Sequence, residues 1–277
     1  MPWKLYIDSR KRVNGARGNS DTDFVIQLPY PITVSGKAFV DVCLIPNSFW
    51  TIRTGENDKI YLDENVALTK RIATIPAGQY NVHGLCGALV VALNANKAIS
   101  GQYSCIYIHS ENRFALTLVN AVASDQYRIH MEESLKSNWN QWTGVASAND
   151  LQSANRQCGF LDGTTINGTN TLAATGPNAP DVQPYKQLFL RSNLGGGSAE
   201  SLGVNGETDI IRRIVVGNMP MNSMIHDVHS NTLDCVTING KPEINQLWFQ
   251  LIDVDGKICD THGLPLSFSI IFENLDE

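Results

Sequence analysis

The feature that most constrains this chain is a series of short segments rich in β-branched and aromatic residues, each ended by turn-forming residues. Residues 38–45 read AFVDVCLI before Pro46, and residues 266–272 read LSFSIIF. Runs of this length and composition, bounded by Pro, Gly and Asn, are typical of β-strands. Four such segments lie before residue 65 and five lie after residue 185. The sequence therefore predicts a mainly β protein.

The arrangement of these segments favours two packed sheets, because a sheet with one apolar face must cover that face. Eight strands in two sheets form a jelly roll. The strand pattern is interrupted in the middle of the chain, where a helical period appears. We therefore predict a jelly-roll sandwich built from residues 1–65 and 185–277, with an inserted α+β domain with long loops at residues 66–184.

One clear helix is predicted inside the insertion. Asn81 is a residue type that is favoured as an N-cap. After it, apolar residues recur at i, i+3, i+4, i+7, i+8 and i+11, namely Val82, Leu85, Cys86, Leu89, Val90 and Leu93. This spacing places them on one face of a helix of about three turns. We interpret the helix as a structural element that faces a core.

The second half of the insertion looks irregular. Residues 137–184 carry few charges and are rich in Asn, Ser, Thr, Gly and Ala, but they also contain Trp139, Trp142 and Phe160. A disordered linker would carry more charge and fewer aromatic residues. Long loops in a compact domain usually make contacts or carry function. We predict that residues 137–184 and 193–207 lie over a surface or against a neighbouring subunit.

The low content of charged residues indicates that neighbouring subunits cover part of the protein surface. The chain has 277 residues, with 21 Lys and Arg against 27 Asp and Glu, and a net charge of −6. A net negative chain is poorly suited to binding duplex DNA through its phosphates. Charged residues make up only 17% of the sequence, against about 25% in a typical soluble domain. A surface with so few charges favours contact with neighbouring subunits.

A basic cluster follows the first strand segment and consists of Arg10, Lys11, Arg12 and Arg17. Its simplest interpretation is a solvated turn. The alternatives are a weak contact with nucleic acid, or pairing with acidic residues near the other end of the sequence. Those acidic residues are Glu273, Asp276 and Glu277. Exposed pairs of this kind contribute only about 0–1 kcal/mol each.

Patterns for catalysis or metal binding are weak. The six cysteines are scattered without a C-x-x-C pair, and we interpret most of them as free thiols that act as small core residues. His226 and His229 form an H-x-x-H, but nothing nearby predicts the helix that would place both rings on one side. Phosphate-binding loops, nucleophile elbows and zinc-protease motifs are absent from the sequence. We therefore predict no catalytic, cofactor or metal site and no enzymatic activity.

The sequence also lacks the patterns of membrane insertion and secretion. No apolar run approaches the roughly 20 residues that a helix needs to cross a bilayer. The first ten residues carry charges too early for the apolar region of a secretion signal. We therefore predict no membrane span.

Eight short motifs are spread over most of the chain: YIDSR at 6–10, SDTDF at 20–24, VDVCLIPNSF at 40–49, IPAGQY at 75–80, NRF at 112–114, CGF at 158–160, FQLIDVDG at 249–256 and LSFS at 266–269. Together they resemble minor capsid or penton proteins of virophages, polinton-type elements and related large double-stranded DNA viruses. The resemblance covers the two ends of the chain and part of its middle.

This resemblance implies a jelly-roll structural protein of the virion that forms the fivefold vertices of an icosahedral shell as a homopentamer. It also implies contact with a double jelly-roll major capsid protein and assembly inside the host cell, in the cytoplasm or the nucleus. Some such proteins carry an outer insertion domain. The length of 277 residues favours the penton over the major capsid protein.

Two other classes of function remain open at this point. The first is a lectin-like β-sandwich that binds glycans in attachment, with Trp139, Asn140 and Trp142 as its platform. The second is an enzyme on a jelly-roll scaffold, which stoichiometric metal in the purified protein would support. Oligomeric mass separates them most simply, because about five subunits favour the penton and one favours a binding module.

Overall fold

The chain forms two compact units in a computed structural model. The described residues are 3–13, 18–163, 165–169, 172–195, 203, 205–217, 220, 222–228, 235–238 and 242–273. The jelly-roll unit comprises Met1–Phe49 with Tyr185–Glu277, and the insertion unit comprises Trp50–Pro184. The sequence places the first boundary at residue 65, whereas the insertion unit begins at Trp50. The difference arises because residues 59–64 form a strand that pairs with other strands of the insertion.

The described part of the chain is mostly β-structure. Its strands are β1 Trp3–Asp8, β2 Asp23–Thr33, β3 Gly36–Pro46, β4 Lys59–Glu64, β5 Thr69–Thr74, β6 Gln102–Ile108, β7 Arg113–Val119, β8 Gln126–His130, β9 Thr165–Thr169, β10 Ala174–Thr175, β11 Gln187–Ser192, β12 Ile210–Val215, β13 Met224–Val228, β14 Val236–Ile238, β15 Glu243–Ile252 and β16 Ser267–Glu273. Its α-helices are α1 Val82–Asn94, α2 Glu132–Ser137 and α3 Asn155–Cys158. The predicted β-rich fold with an inserted α+β region is confirmed.

The strand order of the jelly-roll unit defines its topology. Sheet I has the order β1–β16–β3–β13, with the short β14 also beside β3, and sheet II has the order β12–β11–β15–β2. Leaving β14 aside, sheet I joins the first, eighth, third and sixth strands of the unit. Sheet II joins the fifth, fourth, seventh and second. Neighbouring strands are antiparallel, and this alternation between two sheets is the jelly-roll arrangement.

The two sheets of this unit pack face to face through alternating side chains. In β11, Leu188 and Leu190 are buried and the residue between them is only half-buried. The ring of Phe249 in sheet II meets that of Phe268 in sheet I, with centroids 4.8 Å apart, and lies 5.7 Å from the ring of Phe24. Each such buried side chain contributes about 1.5–3 kcal/mol through removal of apolar surface from water.

An ion pair joins two edge strands of the sandwich. Arg212 of β12 in sheet II is 3% exposed, and its Nε and Nη2 donate to Oδ2 of Asp227 in β13 of sheet I at 2.8 and 2.6 Å. A charged side chain buried this deeply requires a partner, because desolvation of an unpaired charge is costly. The pair therefore ties together the edges of the two sheets where β12 and β13 follow one another in the chain.

The insertion unit contains two smaller sheets and a helix around its own core. One sheet has the order β5–β4–β8–β9 and the other β10–β7–β6. Helix α1 buries Leu85, Cys86, Leu89, Ala92 and Leu93 in this core. The predicted apolar face is largely correct, although two of its valines, at 82 and 90, are only half-buried. The longest helix in the described ranges is this one of 13 residues, and none there is long and apolar enough to cross a membrane.

Helix α1 begins at the predicted cap. Oδ1 of Asn81 accepts a hydrogen bond from the backbone N–H of Gly84 at 2.7 Å. We expect Asn81→Ala to lower the free energy of unfolding by about 1 kcal/mol, because one N–H at the helix end loses its acceptor. The melting temperature measured by calorimetry should fall by roughly 2–4 °C. Asn140→Ala, at an exposed position, is the matched control, and an equal loss in both variants would contradict this role.

A buried carboxylate organises one end of the insertion unit. Glu64 of β4 is fully buried, and its Oε1 accepts from Arg71 Nη2 at 2.8 Å and from the hydroxyl of Tyr103 at 2.7 Å. Its Oε2 accepts from the backbone N–H of Ala98 at 2.6 Å. Arg71 also donates to the carbonyls of Leu93 and Ala95 at the end of α1. The network thus joins the three strands β4, β5 and β6 to the end of the helix.

Residues 137–184 are more ordered than the sequence indicates. They contain α3, β9 and β10, and Trp142 and Phe160 are 4% and 0% exposed. Trp142 packs against Tyr61, with ring centroids 5.0 Å apart. These aromatic residues are core residues of the insertion unit rather than a surface for a neighbour. In 193–207, a short 3-10 turn spans Asn193–Gly195, and residues 196–202 and 204 lie outside the described residues.

Candidate subunit interface

The outer face of sheet I carries exposed apolar side chains. Along β1, Trp3, Leu5 and Ile7 contact the core of the sandwich, so Lys4 and Tyr6 point outwards. Tyr6 is 76% exposed. Such large exposed side chains indicate an interaction surface when they are contiguous.

The strand register places the outward residues of sheet I in rows. Tyr6 lies opposite Ser269, Ser269 opposite Val42, and Val42 opposite Val228. Val228, on the edge strand β13, is 54% exposed. Antiparallel partners on one face have Cβ atoms about 4.5–5.5 Å apart. The row is therefore continuous across the sheet.

A second row runs beside the first. Asp8 lies opposite Ser267, Ser267 opposite Leu44, and Leu44 opposite His226. The central strand β16 thus supplies a small serine to each row, between larger side chains on β1 and β3. The result is a groove of about 370 Å³ lined by Lys4, Tyr6, Ile7, Asp8, Val42, Leu44, Ser267, Phe268 and Ser269.

The charged groups at this groove are neutralised within the unit. Lys4 pairs with Asp41 and lies 5.4 Å from the centre of the Tyr6 ring. Its hydrogen bond to Asp41 raises the pKa of Lys4, so it stays protonated. Arg10 pairs with Asp8 at 2.5 Å, and this bond lowers the pKa of the Asp8 carboxyl. The face therefore presents little net charge to a partner.

The basic cluster is partly engaged in internal pairs. Arg10 is held by Asp8, and Arg12 Nη1 donates to Asp21 Oδ1 at 2.8 Å. Lys11 is exposed, and Arg17 lies outside the described residues. Internal pairing lowers the charge that this segment can offer to phosphates.

The proposed acidic partners of that cluster are only partly described. Glu273 ends β16, where its backbone pairs with Lys37 of β3. Asp276 and Glu277 lie outside the described residues. Pairing between the two ends of the sequence stays a prediction.

Only one histidine of the H-x-x-H is described. His226 lies in the strand β13, and His229 lies outside the described residues, so the predicted absence of a metal site at this pair stays a prediction. Within the described ranges, no group of three or more His, Cys, Asp or Glu could hold a metal ion.

The cysteines are all free thiols. Cys43, Cys86, Cys158 and Cys259 are buried, whereas Cys105 and Cys235 are half-buried. Burial raises the pKa of Cys43 to about 12. A thiol this difficult to ionise is a packing residue and not a nucleophile.

The lectin hypothesis depended on an aromatic platform that the structure does not contain. Of its three residues, Trp142 is buried and packs edge-on against Tyr61 and His130, while Trp139 is half-buried and only Asn140 is exposed. A buried indole cannot stack on a sugar. The prediction of this platform is therefore wrong, because apolar burial outweighed display of the ring.

The fold and this surface define the chain as a jelly-roll β-sandwich with a large insertion between the third and fourth strands of the roll. No protein-family model matches the sequence, and no curated protein does. Among solved structures, the chain is similar to the crystal structure of the selenomethionine-labelled mavirus penton protein, with a TM-score of 0.46 and 10% sequence identity. The match covers 99% of this chain and 100% of that one.

Proposed function

We propose that this chain is a structural virion protein, a penton-like minor capsid protein that forms the fivefold vertices of an icosahedral shell. The observation that carries the proposal is the outer face of sheet I, an apolar and internally neutralised surface on a jelly roll. The low fraction of charged residues, 17%, supports the same conclusion. The sequence motifs that resemble those of penton proteins favour a capsid vertex as the kind of assembly.

The proposed assembly is a homopentamer in which the outer face of sheet I meets a different surface of the next copy. A ring needs such a head-to-tail contact, because a self-complementary contact closes as a dimer. A stable contact buries at least about 1,000 Å² in total. The groove beside Tyr6 and the exposed Val228 would both lie within this contact, together with the internally paired charges Lys4–Asp41 and Asp8–Arg10.

The further partners of the proposal are those of a vertex protein. The pentamer would contact a surrounding double jelly-roll major capsid protein and reside in the virion after assembly inside the host cell. A weak contact with nucleic acid would use Lys11 and Arg17 first, since Arg10 and Arg12 are paired internally. No catalytic activity is part of the proposal.

We expect Val228→Asp to weaken self-association at least about tenfold, because burial of an apolar side chain of this size stabilises a contact by about 1.5–3 kcal/mol and a buried unpaired carboxylate opposes it. Light scattering should give a mass about five times 30.4 kDa for the unmodified chain and a dissociating species for the variant. Val215→Asp is the matched control, because Val215 is 57% exposed and lies on the edge strand of sheet II.

The two variants and the unmodified chain test separately where the contact lies and whether the chain forms a pentamer. Dissociation by Val215→Asp alone would move the contact from sheet I to sheet II. A monomer for the unmodified chain, both alone and mixed with its shell protein, would contradict the penton proposal. Circular dichroism on both variants confirms that they fold, since both positions are exposed.

A further inference from the structure

The insertion unit carries a cluster of three rings on its surface that the proposed assembly does not use. His83, near the start of α1, and His109, just after β6, are both exposed. Their ring centroids are 5.3 Å apart. The ring of Tyr107 lies 5.6 Å from that of His83 and 4.8 Å from that of His109, edge-on to both.

The spacing of the two imidazoles matches joint coordination of one metal ion. With zinc–nitrogen bonds of about 2.0–2.1 Å, each ring centroid would lie about 3.2 Å from a shared ion. Two centroids 5.3 Å apart then subtend an angle of about 110° at the ion, which is the tetrahedral angle that Zn²⁺ prefers. Because both side chains are exposed and the second torsion of histidine is broad, the ring nitrogens can turn towards a common point.

The elements beneath the pair share one hydrophobic core. Helix α1 and strand β6 share the core of the insertion unit, and Tyr107 packs against that core. The Tyr107 ring also lies 6.1 Å from the buried ring of Phe114, and its hydroxyl bonds to Oδ1 of Asn112. Tyr107 therefore supports the two histidine rings from the side of the core. Holding ligands in place before binding raises metal affinity because less conformational freedom is lost.

We propose that His83 and His109 form a surface site for a divalent transition-metal ion, with Zn²⁺ as the physiological candidate. Neutral imidazole suits Zn²⁺ and Cu²⁺, and intrinsic affinity rises towards Cu²⁺. No third His, Cys, Asp or Glu completes a cluster in the described part of the chain, so the two remaining positions are open to water or to a group from another molecule. The positive end of the helix dipole opposes a cation beside His83.

The test titrates the full chain with Zn²⁺ by calorimetry and with Cu²⁺ by electron paramagnetic resonance. We expect one equivalent to bind, with the hyperfine pattern of nitrogen ligands. His83→Gln and His109→Gln should each weaken binding at least about tenfold, since loss of even a supporting group beside a metal ligand costs about 10–100-fold. His226→Gln, at an exposed histidine of the jelly-roll unit, is the control and should bind as the unmodified chain does.

Two results would contradict the proposed metal site. Absence of binding at millimolar Zn²⁺ and Cu²⁺ would overturn the site. Binding that survives both His83→Gln and His109→Gln would overturn the proposed location of the site. Loss of binding in His226→Gln would favour the H-x-x-H instead. Because oligomeric mass is not a readout here, failure of this site leaves the penton proposal to its own test.

Discussion

Glu64→Ala should destabilise the insertion unit by about 3–5 kcal/mol, because it removes one partner of a buried ion pair and leaves the other charge unpaired. Arg71 would lose its carboxylate acceptor while its side chain remains 12% exposed. The Tyr103 hydroxyl and the Ala98 N–H would lose their acceptor at the same time. Buried donors without partners each carry a further desolvation penalty.

The Tyr103 bond is expected to persist over the usual pH range. Burial, followed by the hydrogen bond to Glu64, raises the pKa of Tyr103 above its ordinary value. The hydroxyl therefore remains protonated and continues to donate. Tyr103→Phe should consequently cost less than Glu64→Ala, since it removes one hydrogen bond and no charge.

Equilibrium urea unfolding measures this loss, and hydrogen-exchange mass spectrometry assigns the transition to Trp50–Pro184. Glu56→Ala is the matched control, because Glu56 is 44% exposed and pairs with Arg53 across a short turn. Its expected cost is about 0–1 kcal/mol. Equal losses for the two glutamates would show that the Glu64 network does not stabilise the unit.

Phe249→Ala should destabilise the jelly-roll unit by about 3–5 kcal/mol. Phe249 is fully buried and lies between Phe24 of its own sheet and Phe268 of the other. Truncation would leave a cavity between the sheets that two β-strand backbones cannot close without losing register. Loss of the edge-on ring contact adds about 0.5–1.5 kcal/mol to the transfer cost.

The same unfolding measurement, followed in peptides from residues 1–49 and 185–277, tests this expectation. Phe249→Leu retains most of the volume and should cost clearly less. Val215→Ala, at an exposed position of sheet II, should change stability by less than about 0.5 kcal/mol. If Phe249→Ala unfolds at the same urea concentration as Val215→Ala, the contact between the sheets is not a main source of stability.

Local patterns predicted the parts of the fold that depend on neighbouring residues. The strand composition of residues 38–45 and 266–272 predicted β3 and β16, and these strands lie side by side in sheet I. The period from Val82 to Leu93 and the cap at Asn81 predicted α1. Alternation, helical spacing and capping are properties of a few consecutive residues, so they can be recognised without knowledge of the fold.

The sequence alone did not show whether the aromatic residues in 137–184 are exposed or buried. From the sequence we placed Trp142 on an exposed aromatic platform, but in the structure its ring packs against those of Tyr61 and His130. Whether an aromatic side chain is displayed or buried depends on the volume available in the assembled core. No local signal reports that volume.

The amino-acid sequence by itself determined the strand-rich class, the capped helix and the interruption of the sandwich, because these follow from contiguous residue preferences. Only the tertiary structure decided which distant side chains meet: Glu64 with Tyr103, Arg212 with Asp227, His83 with His109, and the row from Tyr6 to Val228. The physical reason is register, since a shift of one residue in any strand would turn its outward side chains into the core. That register is selected by the packing of the whole unit.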